Sequence, residues 1–96
     1  MNVQPLQQAL DSVPFFAALR ISVEEARPGG VVLRLPCAPG NQNHAGALHS
    51  STMFAVGEAA AGVALGTHPE LAGITHLQKA TGIKYMRPSG SDITAH

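Results

Sequence analysis

Asn43–Gly66 reads NHAGALHSSTMFAVGEAAAGVALG, and the rest of the chain is expected to pack around it. It begins with turn-forming residues and continues almost entirely on small apolar residues, which favour a long helix with closely packed neighbours. Glu58 is the only Asp, Glu, Lys or Arg residue in this stretch. We expect the helix to begin around His49–Ser51, where hydroxyl side chains can cap free N–H groups, and to continue to about Leu65 before Gly66.

The composition indicates one small domain that spans residues 1–96. Charged residues make up 12% of the chain, against an ordinary ~25%, so part of the surface is expected to be buried in an oligomer. The formal net charge is zero, which argues against nucleic acid or a membrane surface as a partner. A single cysteine, Cys37, excludes an internal disulfide and fits a reducing compartment.

No targeting or spanning segment is indicated by the pattern of apolar residues. The first residues, MNVQPLQQALDSVP, lack the basic start and apolar core of a signal peptide. The apolar run of residues 45–66 contains Glu58 and His49, and a charge at the middle of a span costs ~2.5–3.5 kcal/mol on insertion scales. We therefore expect a cytoplasmic protein.

The sequence on either side of the long helix predicts an antiparallel sheet, and so an α+β fold. The predicted elements are a short helix Pro5–Ser12, a strand Ala18–Ala26, a second strand Val31–Leu35, a third strand Ile74–Met86 with a bulge at Gly82, and a strand Asp92–His96. Phe15 and Phe16 are expected to pack in the core. Three strands and part of a fourth would leave an open sheet edge, so we expect an incomplete domain, or one that a partner chain completes.

A motif precedes and enters the helix. Asn43, Gly46, His49 and Glu58 follow the pattern N-x-x-G-x-x-H-x8-E, and YMRPSG follows near the end of the chain. With HAGALHSSTMFAVGEAAAG, these features resemble the hot-dog thioesterases of the phenylacetate-pathway (PaaI-type) branch and, more closely, an uncharacterised branch with a similar central helix. The resemblance covers most of the chain. It implies a hot-dog fold, in which a curved antiparallel sheet wraps around one long central helix, with active sites at the interface of paired subunits.

The resemblance also implies a role for each matching residue. Glu58 would be the base that activates water, or the nucleophile, and the backbone N–H of Ser50 would polarise the thioester carbonyl. Asn43 and His49 would shape the loop and form hydrogen bonds within it. PaaI-type enzymes carry Gly-Gly where this chain has Ser50 and Ser51, and Asp where it has Glu58.

Elementary chemistry supports the same assignment. Thioester hydrolysis needs a carboxylate near the attacking water and fixed donors that face the developing oxyanion, and a helix N-terminus supplies such donors. Ser50 and Glu58 lie eight positions apart, which is ~12 Å along one helix. We therefore expect Glu58 to serve a site whose oxyanion donor comes from the other subunit. The prediction is an acyl-CoA thioesterase that is a homodimer or a dimer of dimers, with coenzyme A as part of the substrate and no cofactor.

Each of these residues also has a structural interpretation. Glu58 could be a solvated or ion-paired carboxylate, although its neighbours at three- and four-residue spacing are apolar or glycine and favour burial or a cleft. His49 could bond only nearby backbone, and Asn43 could be an ordinary loop residue. Lys84 and Arg87 could bind the phosphates of coenzyme A, or simply be solvated.

Two other functions remain open at this stage. The first is a non-catalytic hot-dog domain that binds an acyl or aromatic ligand. The second is a hydroxyacyl-ACP dehydratase, because His44 lies fourteen residues before Glu58, the separation found in those enzymes, although their Pro-Gly pairs are absent. The histidines show no metal-ligand spacing with one another or with Cys37, so no metal site is expected.

Overall fold

The computed structural model describes residues 1–71 and 77–96. These residues form an α+β structure, as predicted. Its helices are α1 (Gln4–Asp11), α2 (Pro14–Leu19) and α3 (Ser50–Thr67), its strands are β1 (Ser22–Arg27), β2 (Gly30–Leu35) and β3 (Ile93–Ala95), and single 3-10 turns lie at Pro39–Asn41 and Pro69–Leu71. The strands form one antiparallel sheet in the order β1-β2-β3. No helix among the described residues has the length and apolar character needed to cross a membrane.

The hairpin of β1 and β2 is confirmed. Its register runs from Ser22 opposite Arg34 to Arg27 opposite Gly30, with an irregularity between Val23 and Glu25. Gly29, in the turn, has φ +78°, a backbone conformation that glycine adopts at little cost. The predicted last strand is also confirmed as β3, which pairs with β2 but is shorter than expected.

The long helix α3 packs across the inner face of this sheet. The core combines leucine, isoleucine and valine from α1, α2 and the hairpin with small residues of α3: Leu10, Leu19, Ile21, Val23, Val31, Leu33, Leu35, Leu48, Ala55, Val56, Ala59 and Ala60. Since α3 contributes three alanines and one valine to that set, its backbone can approach β2 closely. At its far end, Thr67 Oγ1 accepts a hydrogen bond from the N–H of Gly29 at 2.9 Å, which ties α3 to the hairpin turn.

The second helix was not predicted. The strand expected at Ala18–Ala26 begins only at Ser22, because residues Pro14–Leu19 form α2. Pro14 occupies the first turn of α2, where a missing N–H breaks no helical hydrogen bond, and Arg20 ends the helix in a left-handed conformation at φ 61°. The prediction that both phenylalanines pack in the core is wrong for Phe15, which is 60% exposed, because neighbouring residues on a helix point in different directions.

The third predicted strand, Ile74–Met86, is also corrected. Its first positions, 74–76, lie outside the described residues, and residues 77–86 form no strand, so the bulge expected at Gly82 is absent as well. Leu77 is 93% exposed. The sheet order β1-β2-β3 leaves the outer edges of β1 and β3 without a partner strand among the described residues, and residues 77–86 pair with neither edge. An alternating pattern specifies which side chains share a face, but a strand also needs a partner edge for its backbone groups.

Candidate functional site

Helix α3 begins at Ser50 with an imidazole cap. The His49 Nδ1 atom accepts a hydrogen bond from the backbone N–H of Ser51 at 3.1 Å and lies 2.6 Å from Ser51 Oγ. The cap is therefore a histidine and not the hydroxyl side chain that the sequence suggested. Because Nδ1 accepts from a backbone N–H, it carries no proton, so a neutral His49 holds its proton on Nε2.

The loop before α3 is organised by Asn43. Its Oδ1 atom accepts from the backbone N–H groups of Ala45 at 2.9 Å and Ala47 at 3.1 Å. Its own N–H donates to the Ala47 carbonyl at 2.7 Å, and the Gly46 N–H donates to the Asn43 carbonyl at 3.1 Å. Gly46 has φ +77°, which explains why the tight turn uses glycine.

A second asparagine, which sequence reasoning missed, holds this loop against the rest of the fold. Asn41 is 2% exposed, and its Nδ2 donates to the carbonyls of Leu19 at 2.8 Å and Pro36 at 3.0 Å. The Asn41 carbonyl accepts from the N–H of His49 at 2.8 Å. Asn41 thus joins the end of α2 and the end of the hairpin through its side chain, and the start of α3 through its backbone carbonyl. The sequence offered no signal for it beyond a polar residue after Pro-Gly.

Replacing Asn41 with Ala is expected to lower the free energy of unfolding by about 2–3 kcal/mol, because two carbonyls lose their donor in a buried setting. Urea denaturation followed by circular dichroism measures the change. Asn43→Ala is the matched control, since the Oδ1 of Asn43 bonds to more exposed backbone, and it should cost less. Equal losses for the two variants would contradict the joining role of Asn41.

A groove of about 360 Å³ lies in front of the helix start, and we call it the loop groove. Its lining residues are Asn43, His44, Leu48, His49, Ser50, Met53 and residues 85–88. The Leu48 N–H donates to the Ser89 carbonyl at 2.8 Å, which holds the later segment against the loop. His44, the residue on which a dehydratase would depend, lies here as well. Lys84 is exposed and outside the lining.

Positive charge predominates among the described residues that line the loop groove. Arg87 is its charged lining residue, no carboxylate lines it, and among the described residues Arg87 makes no ion pair. Nothing in residues 1–71 and 77–96 accepts a hydrogen bond from the backbone N–H of Ser50. That N–H stands at the positive end of the α3 dipole, where it favours a negatively charged oxygen.

Glu58 lies in a different groove, between α2 and α3, which we call the helix groove. It has a volume of about 540 Å³ and is lined by Val13, Phe16, Glu58, Ala59, Gly62, Leu77 and Gln78. Glu58 is half-buried, and within the described part of the chain its carboxylate has neither an ion pair nor a hydrogen bond. Its backbone carbonyl accepts from Gln78 Nε2 at 2.8 Å. The ion-paired interpretation of Glu58 therefore has no support in these residues.

Within one chain, then, the structure brings Asn43, His49, Ser50 and Arg87 together and places Glu58 elsewhere. No cluster of three or more His, Cys, Asp or Glu side chains suited to a metal ion occurs in residues 1–71 and 77–96.

A model of a family described as a domain of unknown function, DUF4442, matches residues 5–96. The chain belongs to the DUF4442 family. No curated protein matches it in sequence.

Solved structures share the fold of this DUF4442 chain. A structural-genomics protein, APC5556, is 24% identical with a TM-score of 0.80, and the match covers 96% of this chain and 68% of that protein. PA5026 from Pseudomonas aeruginosa, a protein of unknown function described as a probable thioesterase, is 24% identical with a TM-score of 0.85. That match covers 98% of this chain and 63% of PA5026, so the chain spans less than two thirds of PA5026. The likeness shows a hot-dog-like fold.

Proposed function

We propose that the protein hydrolyses acyl-CoA thioesters. The observation that carries this proposal is that Ser50, whose backbone N–H has no acceptor among the described residues, lines the same groove as Arg87. Fixed donors that await an oxyanion are the costliest part of an acyl-transfer site to provide, because they must be oriented before the charge develops. The description of PA5026 as a probable thioesterase, in a protein of the same fold, adds weight to thioesters as the substrate class.

The reaction uses the two grooves in distinct roles. A water molecule attacks the thioester carbonyl carbon while the Glu58 carboxylate takes one of its protons. The carbonyl oxygen becomes an oxyanion that accepts a hydrogen bond from the Ser50 N–H. The carbon–sulfur bond then breaks, the carbonyl re-forms, and the coenzyme A thiolate leaves and is protonated. The products are a carboxylic acid and free coenzyme A.

The proposal places each site between two subunits, in a homodimer or a dimer of dimers. Glu58 and Ser50 of one chain lie in different grooves, so the Glu58 of one protomer works with the Ser50 of its partner. The outward side of α3 carries Gly57, Ala61 and Leu65, which are all exposed. A helix that is apolar on its outer side as well as its inner side is suited to contact with another apolar surface.

Arg87 is proposed to bind a phosphate of coenzyme A. Arg87→Gln is expected to raise KM by about tenfold with little change in kcat, because a charge-assisted hydrogen bond made equally in ground and transition states affects binding alone. Lys79→Gln is the control, since Lys79 is an exposed cation outside both grooves. An equal rise in KM for both variants would show that general charge attraction, and not Arg87, is responsible.

The whole proposal is tested by the release of free thiol from a panel of acyl-CoAs that covers short, medium and long chains and an aromatic acyl group. We expect turnover with at least one class. If no acyl-CoA is hydrolysed although acyl ligands bind, the protein is instead a non-catalytic binding domain. The apolar lining of the helix groove favours that second candidate.

A further inference from the structure

The helix groove does not end at Gly62. It continues into a recess of about 300 Å³ between α3 and the first two helices, which we call the tail recess. The lining of the tail recess is Leu6, Ala9, Leu10, Val13, Phe16, Gly62, Val63 and Gly66. Val13, Phe16 and Gly62 line both spaces. The helix groove and the tail recess therefore adjoin at these residues, and we call the two spaces together the channel, which extends from Glu58 to Gly66.

The channel is polar at the end near Glu58 and apolar along the rest of its length. Glu58 stands at one end and is the one charged residue among the described residues that line the channel, and Gln78 adds an amide at the same end. Every lining residue of the tail recess is apolar or glycine. Glycines at positions 62 and 66 lie one helical turn apart on the same side of α3. A Cβ at Gly66 would meet no heavy atom within 4 Å, and a Cβ at Gly62 would lie 3.4 Å from Gln78 Nε2.

We propose that the tail recess holds the hydrocarbon tail of a straight-chain acyl group whose thioester carbonyl lies at Glu58. The inference rests on the proposed function and names its substrate class. From Glu58 to Gly66 the channel runs ~12 Å along the helix axis, which accommodates roughly eight to ten carbons of an extended chain at about 1.3 Å per bond. Medium-chain acyl groups fit this length, and carbons beyond Gly66 would lie outside the lining of the tail recess.

An alkyl chain suits this channel better than an extended peptide does. A peptide in the tail recess would bury backbone N–H and C=O groups, and no lining side chain there could pair with them. Leaving such groups unpaired is costly, whereas a hydrocarbon loses only water. The carboxylate at one end also matches a substrate that is polar at one end and apolar along the rest.

The test is the chain-length profile of kcat/KM for saturated acyl-CoAs from four to sixteen carbons. We expect about a fourfold rise for each added methylene, the equivalent of one buried CH₂, up to about ten carbons and no further rise beyond that. A flat profile, or one that keeps rising to sixteen carbons, would overturn the inference.

Gly66→Leu tests the far end of the channel. A Cβ at Gly66 would meet no heavy atom within 4 Å, so the leucine can enter the tail recess without displacing the fold. We expect the rise in kcat/KM with chain length to stop about three carbons earlier than in the wild type. The kcat/KM for the four-carbon acyl-CoA should be unchanged. Gly82→Leu is the control: it is also an exposed glycine with nothing within 4 Å of a Cβ, and it lines neither groove nor the tail recess. Equal profiles for the two variants would contradict the proposal.

Ala9→Leu narrows the tail recess from the opposite wall. In this variant too, kcat/KM should stop rising at a shorter acyl chain than in the wild type. If instead a second copy of the chain fills the recess, Gly66→Leu will alter the size-exclusion profile while the chain-length profile stays that of the wild type. That result would overturn the inference.

Displacement of a fluorescent fatty acid by saturated fatty acids separates the inference from the proposed function. Chain-length-dependent displacement that Gly66→Leu shortens, without hydrolysis of any thioester, would uphold the recess and refute the enzyme. Hydrolysis of thioesters with no dependence on acyl chain length would support the enzyme and refute the role of the tail recess.

Discussion

Glu58→Gln is expected to lower kcat for thioester hydrolysis by roughly 10²–10⁴-fold, the contribution of a general base. Glutamine has nearly the same shape but cannot take a proton from water. Because the Glu58 carboxylate makes no hydrogen bond or ion pair with the described residues, the change should leave stability nearly intact. The measurements are kcat by free-thiol release and the melting temperature by circular dichroism.

Glu25→Gln is a suitable control for this experiment. Glu25 is exposed on β1 and lines neither groove, so its loss should leave kcat at the wild-type value. A folded Glu58→Gln variant with the kcat of the control would show that Glu58 is not the base.

The second large effect is expected from Ser50→Pro, which removes the proposed oxyanion donor itself. Proline lacks an N–H and is favoured at the first position of a helix, where the N–H has no helical partner. The preceding residue, His49, already has the extended conformation that proline requires, at φ −67° and ψ 136°. We therefore expect a folded protein with kcat lowered by about 10²–10³-fold, measured in the same thiol assay.

Ser50→Ala separates the backbone from the side chain. It keeps the N–H and loses only a hydroxyl for which no described residue is a partner, so kcat should stay close to the wild-type value. If alanine and proline lower kcat equally, the hydroxyl is the functional group and the backbone donor is not.

Mixing the two inactive variants reports on the subunit arrangement. In a dimer that pairs Ser50 with Glu58 of the other protomer, a mixed dimer of Glu58→Gln and Ser50→Pro contains one intact site. A mixture refolded together should recover about one quarter of wild-type activity, because half of the dimers are mixed and half of their sites are intact. No recovery would mean that both groups act within one chain.

Local patterns predicted the elements that depend on neighbouring residues. The run of small apolar residues specified α3, the alternation before and after Gly29 specified the hairpin, and the turn residues specified the loop at Asn43 and Gly46. These features follow from backbone conformation and from period-2 or period-3.6 burial, which a linear sequence displays directly. The same reasoning failed at residues 77–86, which form no strand, although the outer edges of β1 and β3 have no partner strand among the described residues. Alternation specifies which side chains share a face, but it does not specify a partner strand.

The sequence by itself determined that one carboxylate, Glu58, would lie within a long apolar helix, and that a loop of turn-forming residues would precede that helix. Only the tertiary structure decided that Asn41 joins three elements, that α2 forms a wall beside α3, and that the groove at Glu58 adjoins a recess that reaches Gly66. The physical reason is that a groove is made by surfaces from distant parts of the chain. Its position depends on how the helices pack, and this packing is set by the sum of many small contacts and by no single motif.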